Sequence, residues 1–238
     1  MPLPKIEHPI HEVYLKSLDR KIKFRPFLVK EEKLLLISKE AEDSTDAKNA
    51  IKQILQNCCL EEIDIDKLPL FDIEMFFVHL RIKSIGESSK LSFTCQNVVD
   101  DAECGYVTDY TLDLGKVDYQ IPEGHRNVVK LSDTVGIKLK YPTMSIVSED
   151  VDSVYSAALK IITDNIECIY DADSVYKRSD ISDDELKVFL EELTVDQIDE
   201  IRNFFRTSPK VVLEDTISCT KCGFLHKVHA EDLYSFFI

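Results

Sequence analysis

Glycine is scarce in this sequence, with six residues in 238. A phosphate-cradling loop needs several glycines within a few positions, and no such run exists, so chemistry on a nucleotide phosphate is not expected. Two further catalytic signatures are missing: the His-Glu-x-x-His pair of zinc hydrolases and the Gly-x-Ser-x-Gly nucleophile turn. No apolar run approaches the ~18 residues of a membrane helix. Residues 1–10 are broken by prolines and charges where a secretory leader needs an apolar stretch, so the chain is expected to stay in the compartment of its synthesis.

Positive charge is also short. Lys and Arg number 29 against 44 Asp and Glu, a net charge of −15. The excess is concentrated: residues 145–206 hold 16 acidic and 6 basic side chains, a local −10. Phosphate backbones repel such a surface, so nucleic acid is not an expected partner and a basic protein surface is the natural complement. The alternative is that these charges only solvate helix faces. With 44% hydrophobic residues the chain can bury a substantial core in one or two domains. Seven cysteines, an odd number with Cys58 and Cys59 adjacent in a helical pattern, fit a reducing cytoplasm better than a disulfide framework. Cys58, Cys59 and Cys168 read as core residues.

The other four cysteines form two pairs that echo each other. Leu91-Ser92-Phe93-Thr94-Cys95 parallels Thr216-Ile217-Ser218-Cys219, and Cys104-Gly105-Tyr106-Val107 parallels Cys222-Gly223-Phe224-Leu225. An Asp-Leu step closes each half, at Asp113-Leu114 and Asp232-Leu233. Each half reads as strand, knuckle, strand, and the glycine takes a turn that a Cβ would obstruct. Tetrahedral zinc takes four thiolates at about 2.3 Å, so Cys95, Cys104, Cys219 and Cys222 are candidate ligands of one structural zinc. Eight residues separate Cys95 from Cys104, an excursion carrying Asp100, Asp101 and Glu103. Two other readings stay open: the knuckles persist with buried cysteines and no metal, or Cys219 and Cys222 form a redox pair. The redox reading is disfavoured because residues 224–228 alternate like a strand, leaving no helix N-terminus to depress a thiol pKa. His226 and His229 are candidates to replace a cysteine ligand, or plain surface residues.

Elsewhere residues 12–23 pattern as a hairpin around Asp19-Arg20. Helices are predicted over 29–41, over 46–59 with Ala47, Ala50, Ile51, Ile54, Leu55 and Cys58 on one face, and from near Pro69 to a left-handed cap at Gly86. Strands are predicted over 106–114 and over 127–141, the latter pair turning at 133–136. From 151 to 206 the pattern is helical, with Val151, Val154, Tyr155, Ala158, Ile162 and Ile166 on one face. Capping boxes at Ser182–Glu185 and Thr194–Gln197 start two more helices, and Pro209 ends the block. The expected class is α+β. It comprises an N-terminal hairpin with helices (1–90), a zinc-ribbon-like β module built from two separated knuckles (91–126 and 207–238), and between them a hairpin and acidic helical insertion (127–206). Asp72 and Glu74 are the nearest approach to paired catalytic carboxylates, but acids in a helix's first turn are what its dipole favours. No enzymatic activity is expected.

Lys23-Phe24-Arg25-Pro26-Phe27-Leu28-Val29-Lys30-Glu31-Glu32-Lys33, then Leu68-Pro69-Leu70-Phe71-Asp72-Ile73-Glu74 with Leu80-Arg81 and Ser84-Ile85-Gly86-Glu87, resemble a phage protein family. It is the baseplate hub subunit, or hub assembly protein, of T-even-like contractile-tailed phages. The resemblance is closest over the first 90 or so residues and continues through Leu193-Thr194, Gln197, Ile201, Phe204-Phe205 and Pro209-Lys210. It implies a late viral protein with a structural or chaperone-like role, binding other hub or tail-assembly proteins in the host cytoplasm or within the virion tail. A cytoplasmic zinc-ribbon adaptor for protein or nucleic acid is the alternative reading. The stretch 24–32, with Arg25 and Lys30 beside apolar residues, is a candidate partner contact, with plain core packing as the other explanation.

Overall fold

A computed structural model describes residues 4, 6–40, 44–144 and 154–230. Among these residues the fold is mixed α/β, with six α-helices and small antiparallel sheets. The chain divides into two compact units, Met1–Gln120 with Lys210–Ile238, and Ile121–Pro209.

The first unit opens with a hairpin, β1 (His11–Leu15) and β2 (Arg20–Phe24), whose turn includes Asp19 at a φ of 49°. Alternation puts Val13, Leu15, Ile22 and Phe24 inward. Helices α1 (Val29–Glu40), α2 (Ser44–Cys58) and α3 (Leu70–Ser84) follow. α2 buries Ala50, Ile51, Ile54, Leu55 and Cys58, the face that its 3.6-residue period sets out. α3 is covered nearly all round, with Phe71, Ile73, Met75, Phe76, Phe77, Val78, Leu80 and Ile82 buried together with Asp72 and Arg81, as expected where apolar residues are spread around a helix. It serves as the axis of the unit, and Phe76 meets Phe24 edge to face at 5.5 Å.

Two buried carboxylates tie these elements together. Glu31, fully enclosed at the start of α1, accepts from the Leu28 amide at 2.9 Å and pairs with Arg25 at 3.0 Å. Arg25 also donates to the Asn57 carbonyl at 2.9 Å. Arg25 is thus spent inside the unit, on the hairpin–α1–α2 junction, and does not stand free as a partner contact. Asp72, also fully buried, accepts the amides of Lys16 and Ser17 in the β1–β2 turn, both at 2.9 Å, and the Tyr119 hydroxyl at 2.6 Å. The carboxylate that invited a catalytic reading anchors a turn to the central helix. Burial, and then the bond to Asp72, push the Tyr119 phenol well above its ordinary pKa.

After α3 come β3 (Ser88–Thr94), β4 (Val98–Val99), β5 (Ala102–Glu103), β6 (Val107–Asp113) and β7 (Asp118–Gln120). β3 pairs with β6 and β4 with β5. The chain returns at β12 (Lys210–Ser218) and β13 (Leu225–Ala230), which form the three-stranded order β13-β12-β7.

In the second unit, β8 (Val128–Lys130), β9 (Gly136–Leu139), β10 (Ile166–Tyr170) and β11 (Val175–Lys177) make one antiparallel sheet in the order β11-β10-β9-β8. Helices α4 (Val154–Asn165), α5 (Asp183–Glu191) and α6 (Val195–Arg206) accompany it. Both predicted capping boxes form, Ser182 with Glu185 and Thr194 with Gln197. The all-helical expectation for 151–206 is corrected. Ile166 is not the last residue of a helical face but the first of β10, which pairs with β9; the register shifts between Ile166 and Cys168, so that Ile166 and Ile169 are both buried. Ile137, Leu139, Ile162, Ile166, Leu186, Ile201 and Phe204 make its core. Val151 lies outside the described residues.

Replacing Asp72 by Asn sets an NH2 group against the Ser17 amide, or against the Lys16 amide and Tyr119 hydroxyl, and removes the charge that draws all three donors. The expected cost is about 2–3 kcal/mol of stability. Tyr119→Phe removes one donor only and should cost about 1 kcal/mol. Urea unfolding of the two variants measures both, and equal midpoints for Asp72→Asn and the parent chain would refute the anchoring role.

Candidate metal centre

The two knuckles form matching backbone turns. In the first, the Cys95 amide donates to the Tyr106 carbonyl at 2.9 Å and the Gly105 amide to the Cys95 carbonyl at 3.0 Å; in the second, Cys219 donates to Phe224 at 2.9 Å and Gly223 to Cys219 at 2.8 Å. Gly105 and Gly223 both lie in the left-handed region, at φ of 59° and 73°, where a Cβ is strained. The echo read in the sequence is therefore an echo in hydrogen bonding.

The unequal spacing has a simple cause. The Cys104 amide donates to the Asn97 carbonyl at 2.7 Å, so Asn97 and Cys104 sit side by side. Cys95-Gln96-Asn97 followed by Cys104 reproduces Cys219-Thr220-Lys221-Cys222, and residues 98–103 are an extra loop between the third and fourth positions. That loop is the hairpin β4–β5, in which Val99 opposes Ala102. Its two central residues, Asp100 and Asp101, have φ of 52° and 62°. Two positive φ values in a two-residue loop are the signature of a type I′ turn, which matches the twist of the strands it joins.

The knuckles bring all four predicted cysteines together. Their sulfurs lie within 4.8 Å of one another, with Cys95 and Cys219 buried and Cys104 and Cys222 half-buried. Cys95 Sγ is 3.6 Å from Cys222 Sγ, and Cys104 Sγ is 3.9 Å from Cys219 Sγ. A tetrahedron of sulfurs at 2.3 Å from a central zinc has edges of about 3.8 Å. The spacing fits the group, and all seven cysteines are free thiols.

The surroundings bear unequally on these thiols. Amides of Cys222 and Lys221 hydrogen-bond to Cys219 and hold its pKa down to about 6, whereas burial pushes Cys95 up to about 12. Two side chains also reach the sulfurs: His226 Nε2 lies 3.1 Å from Cys95 Sγ, and Asn97 Nδ2 lies 3.7 Å from Cys222 Sγ. His226 is held between Phe93 and Phe224, with ring centroids at 4.8 and 4.7 Å. His229 points elsewhere and meets Glu214 at 3.4 Å. Nothing in the sequence marked Asn97, whose part depends on the hairpin that follows it.

A second link joins the two halves. Tyr110 on β6 hydrogen-bonds to Asp215 on β12, and Lys116 pairs with the same carboxylate at 2.9 Å. The phenol and ammonium hold Asp215 down to about 2; burial and then Asp215 push Tyr110 up to about 12.

The chain is a mixed α/β protein whose first unit converges on a four-thiol cluster suited to a metal ion. A profile of the family described as T4 bacteriophage base plate protein matches residues 8–238, nearly the whole chain, and the chain belongs to that family. Neither the comparison with curated proteins nor that with solved structures gives a match. No described helix is long and apolar enough to cross a membrane.

The Tyr110–Asp215 link sets a pH window. The depressed Asp215 contributes stability above the ordinary aspartate range, near pH 4, and loses it as pH falls toward 2. The raised Tyr110 contributes below its ordinary value near 10 and loses it as pH climbs toward 12. Tyr110→Phe should therefore destabilise by about 1 kcal/mol at neutral pH, because the pair is partly exposed, and by less at either extreme. Thermal melts across that range read the difference; a pH-independent deficit would contradict it.

Proposed function

We propose that the chain is a non-enzymatic structural or assembly protein of the baseplate hub, with Cys95, Cys104, Cys219 and Cys222 holding one structural zinc. The observation that carries the metal reading is the fit of the sulfur spacings to a tetrahedral edge. When bound, such an ion staples two segments and, with four thiolates, has no open position for a substrate or water. The chain's own contribution is to aim amide hydrogens at the sulfurs, which lowers the cost of gathering negative charge. Family membership supports the baseplate role, and the resemblance in the first 90 residues supports the hub in particular. A chaperone-like role during assembly in the host cytoplasm and residence in the virion tail are both compatible with it.

Purified chain is expected to carry about one zinc, and Cys222→Ser should reduce that content and the melting temperature together. Metal analysis finding well below half an equivalent in protein never exposed to chelators would sink the zinc reading.

The proposed partners are other baseplate proteins, with the acidic face of the second unit as one contact. Asp184, Glu191 and Glu192 are exposed, and Asp183 pairs with Arg178. Reversing Asp184, Glu191 and Glu192 to Lys should lower the yield of completed tails in a complementation assay without altering the circular dichroism spectrum. Normal yields would assign these charges to solubility alone.

A further inference from the structure

The hairpin at residues 98–103 is superfluous to the knuckle that carries it. The second knuckle makes the same turn with Lys221 directly followed by Cys222, so neither the backbone bonds nor the sulfur geometry requires the six extra residues. Each strand of the hairpin is two residues long, too short to stand as a sheet of its own. It nevertheless presents two valines to solvent, Val98 at 61% exposure and Val99 at 43%. Its neighbours around the cysteines continue the pattern: Tyr106, Val107, Phe224 and Leu225 are all exposed, Leu225 at 63%. Six large apolar side chains about one cluster of sulfurs go well beyond the scattered surface residues that need no explanation.

We infer that this hairpin is a docking finger which, with the apolar residues flanking the knuckles, binds another protein through an apolar depression bordered by Lys or Arg. Charge selects the occupant. Asp100, Asp101 and Glu103 are exposed on the finger and Asp109 on the adjoining strand, against Lys221 and, beyond Leu225, Lys227. A second copy would set these carboxylates against their own kind, on chains that each carry −15. Nucleic acid and anionic lipid are repelled for the same reason. A basic rim around an apolar centre satisfies both components of the surface, and the type I′ turn over a hydrogen-bonded knuckle presents them with little ordering cost. The inference rests on the assembly reading only for the source of the partner.

The test uses the full chain and the same phage's baseplate proteins, each purified singly, as probes in a surface binding assay. The informative variant deletes residues 98–103, joining Asn97 to Cys104 and restoring the Cys-x-x-Cys spacing; Val98→Ser with Val99→Ser is the milder change. Both should keep metal content and melting temperature near those of the parent. The parent chain should bind one probe, the deletion should weaken that binding by about a hundredfold, and the double serine variant by about tenfold. Asp100→Asn with Asp101→Asn tolerates the same turn and should slow association and flatten its salt dependence. A deletion variant that binds the probe as well as the parent does overturns the finger while leaving the assembly reading intact. If the parent binds no baseplate protein, both fail. A concentration-dependent dimer abolished by Val98→Ser with Val99→Ser would hand the surface to a second copy and overturn the occupant inferred here.

Discussion

Four sulfurs can share one point only if the hairpins that carry them are held face to face, and here those hairpins lie far apart along the chain. Cys95 and Cys222 are separated by 127 positions and Cys104 and Cys219 by 115. Closing loops of that size costs conformational entropy that local hydrogen bonds cannot offset alone. The unit meets this by preparing the meeting place from several sides. α3 supplies a buried axis, Asp72 fixes the β1–β2 turn and Tyr119 to it, and β12 pairs with β7 and bonds through Asp215 to β6. The cysteines thus meet within a frame that other contacts also hold, and an ion bound there would act on a site whose geometry those contacts largely set.

Buried charge is used in this frame for position. Glu31 and Asp72 are each fully enclosed; Asp72 is matched by donors from the β1–β2 turn and β7, and Glu31 holds Arg25, which in turn reaches the Asn57 carbonyl at the end of α2. An enclosed carboxylate with its hydrogen bonds made is tolerable; with one donor removed it is expensive, so these residues act as checks that the right segments have met. That explains why acidic residues in the first turns of α1 and α3 lie inward, although a surface helix would favour them through its dipole alone.

Local pattern was legible and remote pairing was not. The β1–β2 hairpin, the apolar face of α2 and the capping boxes at Ser182 and Thr194 each follow from a period or a cap within a short window. The two knuckles were visible because a sequence repeat carries across any distance. β10 escaped because five residues adjoining an amphipathic helix continue its apolar face, and only the neighbouring β9 decides that they extend. β4–β5 escaped because its turn is Asp-Asp, without the Asn-Gly or Asp-Gly that usually marks such turns. The role of Asp72 depends on backbone amides more than fifty positions away, which no spacing rule reports.

The pairing of β7 with β12 has a consequence for how such a chain can change over time. Gln120 and Lys210 are direct partners across the two strands, so the whole second unit leaves and re-enters the first at neighbouring points. Joined by a two-residue turn, those strands would make an ordinary hairpin, and the first unit would lose none of its own pairings. The second unit is in this sense a cassette: its length can change without breaking a strand pairing of the first, while the frame that gathers the four thiols stays under its own constraints.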